Sequence, residues 1–321
     1  MSRDSRFSIL EYRRLLAPAL AALFLAGSSW AATPAAQSKI ENRGAPFLWK
    51  IEGAGKKTSW LFGTIHMPRP DVATIAPVVR DAIDQADAVY TEIPVDMPTM
   101  LNMMPAMMLP NGKTIESVLG PKLTADLESE VKSISPTLTL APLARFKPWA
   151  VVATLTQLED QVKYPGTLAL DMVIFQRAAM AGKKVGGIET PAEQVAVFEG
   201  FTDAEQILMV EDTIKQMREI RAEHGSVSDM FAKLYLAGDL DKLVEELMKL
   251  DASADHPDLE AKFMDRLLYK RNVVMAERMT KLLRDNPDTA WFFAVGAAHL
   301  QGDRGLLAAL TKAGFKLTRV Q

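Results

Sequence analysis

Two apolar runs some 230 residues apart end in the same way. Residues 58–66 read TSWLFGTIH and residues 290–300 read AWFFAVGAAHL. Neither run alternates polar with apolar residues, so each reads as a strand buried on both faces, as in a parallel sheet covered by helices. Parallel neighbours need a crossover between them, which commits such a chain to strand–helix–strand units. Both runs also close on Gly-x-x-His, using two of only four histidines in the chain.

The stretches between these runs fit that reading. FLWKIE and TSWLFGTIH flank GAGKK, a hairpin pattern. Ile75, Val78, Val79, Ala82, Ile83 and Ala86 recur at helical spacing, so a helix is expected over 74–87, followed by a short strand in AVYTEI. Further helices are expected near 121–134, 147–159, 167–181 and 304–313, and strands in KKVGGIE and FKLTRV. Thr190, Pro191 and Glu193 form a capped helix start, and Thr202 with Glu205 repeats it. Residues 202–284 read as helical almost throughout. The expected fold class is α/β: a mostly parallel or mixed central sheet flanked by helices, with a helical insertion subdomain at about 200–285.

Residues 94–110, PVDMPTMLNMMPAMMLP, hold six Met and four Pro. The prolines argue against one continuous helix. The segment reads as an adaptable apolar flap over 97–108, with a soft thioether site for Cu(I) as the alternative.

The N-terminus has the three-part layout of a secretory signal peptide over residues 1–31. Arg3, Arg6, Arg13 and Arg14 precede the apolar run LLAPALAALFLAG, and Ser29 and Ala31 stand at −3 and −1 of a cut before Ala32. Residues 32–44 then form a flexible leader to a domain over 45–321. The chain's net charge is −3, and the first segment carries four Arg against Asp4 and Glu11, so the remainder is near −5. That balance gives no electrostatic footprint for nucleic acid. No further apolar stretch is long enough to span a membrane once the signal is cut, so a periplasmic or secreted location is expected. The chain has no cysteine, which removes thiol nucleophiles and thiolate metal sites. G-x-S-x-G, P-loop and H-E-x-x-H patterns are all absent.

Four strands carry chemistry at their carboxyl ends: His66 after the first run, Glu92 after AVYT, Glu189 after KVGG and His299 after the last run. Ligands of open parallel sheets bind in the crevice at that rim. Two imidazoles with a carboxylate suit a divalent ion such as Mn, Co, Zn or Fe, which activates water. His66, His299 and Glu92 are the metal-ligand candidates, and a second carboxylate, Glu189, can take the water proton or add a ligand. Gly63 and Gly296, three residues before each His, allow a sharp bend or a close backbone approach. His224 and His256 sit in turn-like AEHGS and ADHPD and carry no expected role.

WLFGTIHMP, VYTEI, LALDMVIFQRAAMAGKKVGGIETPAEQ, YKRNVVMAERM and FFAVGAAHLQGDRGLLAALTKAGFKLTRV together resemble the TraB/GumN family, over about residues 45–321. That family is related to the Tiki proteases, which are metal-dependent and active with Mn²⁺ or Co²⁺. The resemblance implies a fold similar to erythromycin esterase and the haem-binding ChaN. It implies functional roles for His66, His299, Glu92 and Glu189. It also matches Arg271 to a family arginine able to hold a substrate carboxylate or oxyanion, the alternative being a helix-packing arginine. Asp171 and Gln194 match family positions without an assignable role.

The leading expectation is an exported metal-dependent hydrolase, of the peptidase kind, acting on a peptide or small-molecule substrate. One alternative is a haem, iron or peptide binder without catalysis. Another is a metal-independent, esterase-like His–Glu hydrolase. The sequence leaves substrate, metal and oligomeric state open.

Overall fold

Six strands pair into one sheet in the computed structural model, which describes residues 44–53, 55–251 and 256–321. The segments expected as signal peptide and leader lie outside the described residues, apart from Gly44. The strands are β1 (Leu48–Glu52), β2 (Ser59–Thr64), β3 (Ala88–Thr91), β4 (Lys184–Gly187), β5 (Trp291–Gly296) and β6 (Lys316–Arg319). Their spatial order is β4-β3-β5-β2-β1-β6. The β2–β5, β3–β5 and β3–β4 pairs are parallel, while β1 is antiparallel to both β2 and β6. The sheet is therefore mixed, with a parallel half formed by β4, β3, β5 and β2.

The two unalternating runs occupy the middle, as their composition requires. All six residues of β2 are buried, and Phe292, Phe293 and Val295 of β5 are fully inaccessible. Helices cover both faces and share one continuous apolar core with the sheet. The helix between β2 and β3 runs Pro77–Gln85, narrower than the expected 74–87. Pro77 sits at its start and Val79, Ala82 and Ile83 face inward. The helix expected at 121–134 is the second half of Ile115–Ile134, which breaks where Gly120 takes φ 73° ahead of Pro121.

The Met-rich run corrects the sequence reading, because Met97–Met107 is a helix. Pro98 falls at its start, where no intrahelical N–H is required, and Asp96 caps it by accepting from Thr99 N–H at 2.9 Å. Pro105 lies in the last turn, close to where the helix stops at Met108. Met103 and Met107 are buried while Met97, Leu101 and Met104 are exposed.

Beyond β4 the chain is helical up to β5, in the segments Pro191–Glu199, Asp203–His224, Val227–Leu236, Leu240–Asp251, Pro257–Met264 and Lys270–Asp285. A π-helical turn, Asp265–Tyr269, directly precedes Lys270–Asp285. Among the described residues no helix is long and apolar enough to cross a membrane.

Candidate functional site

The parallel half of the sheet sets four side chains on one rim. β4, β3, β5 and β2 lie side by side, so Glu189, Glu92, His299 and His66 leave the sheet in that lateral order. Strand neighbours are ~4.8 Å apart, which spreads the four strand ends over ~15 Å and leaves the side chains to close the gap.

Glu92 is the centre of the cluster. Its Oε1 accepts from the Gly296 N–H at 2.7 Å, and stands 3.6 Å from His299 Nε2 and 4.0 Å from His66 Nε2. Its Oε2 accepts from Arg271 NH2 at 2.5 Å and from Gln194 Nε2 at 3.2 Å. Arg271 reaches the neighbouring carboxylate as well, with Nε 3.1 Å and NH2 2.7 Å from Glu189. Its NH1 donates to the Leu267 carbonyl at 3.0 Å, a contact made within the helical turn ahead of it. Gln194 Nε2 also lies 3.2 Å from Glu189. Glu92, Glu189, Arg271 and His299 are each at most 5% exposed.

Both rings are held from behind. His299 Nδ1 lies 2.6 Å from Asn272 Oδ1, and Asn272 Nδ2 donates to the Arg304 carbonyl at 2.8 Å. The second bond fixes the amide so that its oxygen faces the ring, which makes Nδ1 the donor and leaves a lone pair on Nε2. His66 Nδ1 lies 2.9 Å from the Asp171 carboxylate, and its buried Nε2 has no hydrogen-bond partner among the described residues. Rings backed by a carboxylate and an amide oxygen, with Nε2 turned inward, are the outer-shell arrangement that orients metal-ligating histidines.

The electrostatics follow from burial and from which charge is nearest. Burial and the nearby Arg271 and His66 depress His299 to about 3, against the pull of Glu92, so its ring is neutral at physiological pH. For His66, burial again disfavours the cation, but the Asp171 carboxylate and Glu92 outweigh it and raise the ring to about 9. Burial alone would raise Glu92. Arg271, the His66 cation and the Gly296 N–H instead hold it well below the usual carboxylate range.

His66 Nε2, His299 Nε2 and Glu92 Oε1 are donor types that suit a divalent ion, once His66 gives up the proton that its value of about 9 keeps on the ring at neutral pH. Two donors ~2.1 Å from one ion at a tetrahedral angle stand ~3.4 Å apart, against the 3.6 and 4.0 Å seen here from Glu92 Oε1. Among the described residues no group of three or more His, Cys, Asp or Glu stands in an arrangement that could hold a metal ion.

The structure thus brings His66, His299, Glu92, Glu189 and Arg271 into one cluster, but with different neighbours. The metal-ligand candidates meet at Glu92 Oε1, whereas Glu189 faces Arg271 and Gln194 instead of the imidazoles. Both motif glycines serve close approach. A Cβ on Gly296 would stand 3.2 Å from Glu92 Oε1, and one on Gly63 would stand 2.6 Å from Leu300 Cδ1 and 3.2 Å from Ala297 Cα, inside the other motif. Of the remaining histidines, His256 pairs with Asp212 at 3.1 Å, away from this cluster. Asn272 and the Gly296 N–H escaped the sequence reading. Asn272 adjoins Arg271 in KRN, and its one signal was a polar residue beside a buried one on the inward face of a helix.

The fold and rim define an α/β protein with a buried His–His–Glu cluster at the carboxyl ends of parallel strands. The chain belongs to the TraB/PrgY/gumN family, whose profile matches residues 47–319. It is similar to metalloprotease TIKI2 of Danio rerio, 28% identical over 312 residues that cover 84% of this chain and 60% of the relative. It is also similar to metalloprotease TIKI1 of Homo sapiens, 26% identical over 314 residues covering 84% and 61%. A metalloprotease TIKI homolog of Nematostella vectensis is 24% identical over 319 residues, covering 86% and 67%. The chain thus spans about 60% of the length of the first two relatives. No solved structure gives a significant match.

Proposed function

We propose that this chain is an exported, metal-dependent hydrolase of the peptidase class, working in the periplasm or outside the cell. The observation that carries the reading is the meeting of His66 Nε2 and His299 Nε2 beside Glu92 Oε1, each ring braced on its far side. The names of the similar proteins point the same way, and the three-part layout of residues 1–31 supports export.

In this reading His66, His299 and Glu92 hold the ion, which when bound supplies a Lewis acid and a water of lowered pKa. The protein's own contributions can be read from the contacts. Glu92 turns Oε1 toward the two imidazoles while Arg271 and Gln194 hold Oε2, so the carboxylate cannot swing away. Asp171 and Asn272 keep both Nε2 atoms directed inward. Arg271 neutralises Glu92 and Glu189 together, and its NH1 has one hydrogen beyond the Leu267 bond for a substrate carbonyl. Glu189 is the general base, and releasing its Gln194 contact frees a lone pair for a water proton.

The test is to incubate purified protein with Mn²⁺, Co²⁺ or Zn²⁺ and a library of quenched fluorescent peptides. Cleavage that disappears in excess chelator and in His66→Ala and His299→Ala is expected. Full cleavage in chelator, or in His66→Ala, would overturn the proposal.

A further inference from the structure

One helix outside the site grips the His66 segment on both sides. Near the start of Val227–Leu236, Ser228 Oγ and Asp229 Oδ1 accept from Arg69 NH1 at 2.7 and 2.6 Å. Near its other end the Tyr235 hydroxyl donates to the Gly63 carbonyl at 2.8 Å. Gly63 and Arg69 each stand three residues from His66. The seven-residue step from Ser228 to Tyr235 spans ~10 Å along a helix, so one rigid rod bridges both anchors.

The anchors are built firmly. Arg69 is 6% exposed, and its other edge pairs with both oxygens of Asp71 at 3.0 and 2.9 Å. Buried Asp160 accepts from Ser228, tying the same corner to the Pro148–Lys163 helix. Gly63 N–H donates to the Phe47 carbonyl at 2.7 Å, and the Tyr235 ring meets the Phe47 ring edge-on at 5.3 Å. Between the anchors the backbone bonds are local, Met67 N–H to Ile65 and Arg69 N–H to Met67. Among the described residues only Asp171 hydrogen-bonds the ring itself. His299 has a separate support, through Asn272 on Lys270–Asp285.

We infer that Tyr235 and Arg69 are positioning residues for His66. The Val227–Leu236 helix is a splint that sets where this imidazole stands relative to Glu92. The functional consequence rests on the metal-site reading above; the placement itself does not. Because Gly63 also packs on Ala297 and Leu300 beside His299, loss of the splint is expected to move the His66 ring further than the His299 ring, which a general loss of stability would not do.

The experiment uses the full chain in four forms: wild type, Tyr235→Phe, Arg69→Gln and Arg69→Lys. Imidazole ¹⁵N–¹H correlations are recorded on the metal-free proteins, and Co²⁺ is then titrated by calorimetry. Tyr235→Phe keeps the ring on Phe47 and so keeps the fold. It and Arg69→Gln are expected to shift the His66 signals, move those of His299 less, and weaken Co²⁺ about tenfold, the scale of an outer-shell loss. Arg69→Lys should restore part of both effects. Unmoved His66 signals in folded Tyr235→Phe, or equal displacement of both histidines, would overturn the inference. A wild type that takes no Co²⁺ would remove the metal reading, while the ring signals still decide the splint.

Discussion

Replacing Arg271 by Met tests how the site holds two acids in the core. The guanidinium sits 2.5 Å from Glu92 and 2.7 Å from Glu189, with all three side chains about 95% buried. Met fills the volume of the stem but leaves both carboxylates without their cation. Removing one partner of a buried ion pair costs roughly 3–5 kcal/mol, because the remaining charge stays desolvated. For a domain of this size that corresponds to a fall in Tm of about 10 °C. The pH dependence has a definite sign. Arg271 depresses Glu92 below its ordinary value of 4.5, so its contribution is present above that pH and is lost as pH falls. In the variant the uncompensated Glu92 carboxylate takes up a proton more readily, so the gap from wild type should narrow between pH 7 and pH 4. Adding Glu189→Gln to the variant should recover roughly 1–2 kcal/mol by removing one stranded charge. Thermal melts followed by circular dichroism at both pH values read these quantities. A variant melting within 2 °C of wild type, or a gap indifferent to pH, would refute the reasoning.

Three other substitutions probe separate parts of the account. Asn272→Leu removes the acceptor of His299 Nδ1, and should weaken divalent-ion binding about 10–100-fold while costing ~1–3 kcal/mol in stability, read by calorimetry and melting. Gly63→Ala places a methyl 2.6 Å from Leu300 Cδ1 and 3.0 Å from Phe47 Cβ, so urea unfolding should show a loss of ~1–3 kcal/mol. Glu260 is buried with neither carboxylate oxygen hydrogen-bonded among the described residues, and burial with the nearby Asp212 raises it to about 8. Its folded form binds a proton that the unfolded chain releases above 4.5, so the penalty grows as pH rises and is complete above 8. Glu260→Gln should therefore stabilise by about 2 kcal/mol at pH 8.5 and hardly at all at pH 4.5; equal effects at both would contradict this.

The rim was legible because strand direction alone fixes it. Unalternating apolar runs force a covered parallel sheet, and a parallel sheet delivers every strand's next residue to the same side, as happened for His66, Glu92, Glu189 and His299. The lateral order was hidden, since nothing local says that β5 enters between β3 and β2. That order decides that Glu92 meets the imidazoles while Glu189 meets Arg271. Asn272, Tyr235 and Arg69 were invisible as supports because their partners lie 27, 172 and 159 residues away. The helix at Met97–Met107 was misread because prolines were counted without regard to position, and Pro98 sits where a helix tolerates it. The close-approach reading of the motif glycines agrees with what a Cβ would meet there, and neither glycine takes a positive φ.

An anomalous difference map from crystals grown with Co²⁺ or Zn²⁺ tests the central claim most directly. The account predicts one strong peak about 2.1 Å from both His66 Nε2 and His299 Nε2 and bonded to Glu92 Oε1, absent in His299→Ala. A map with no peak among these three atoms, or a peak that persists unchanged in His299→Ala, would contradict it.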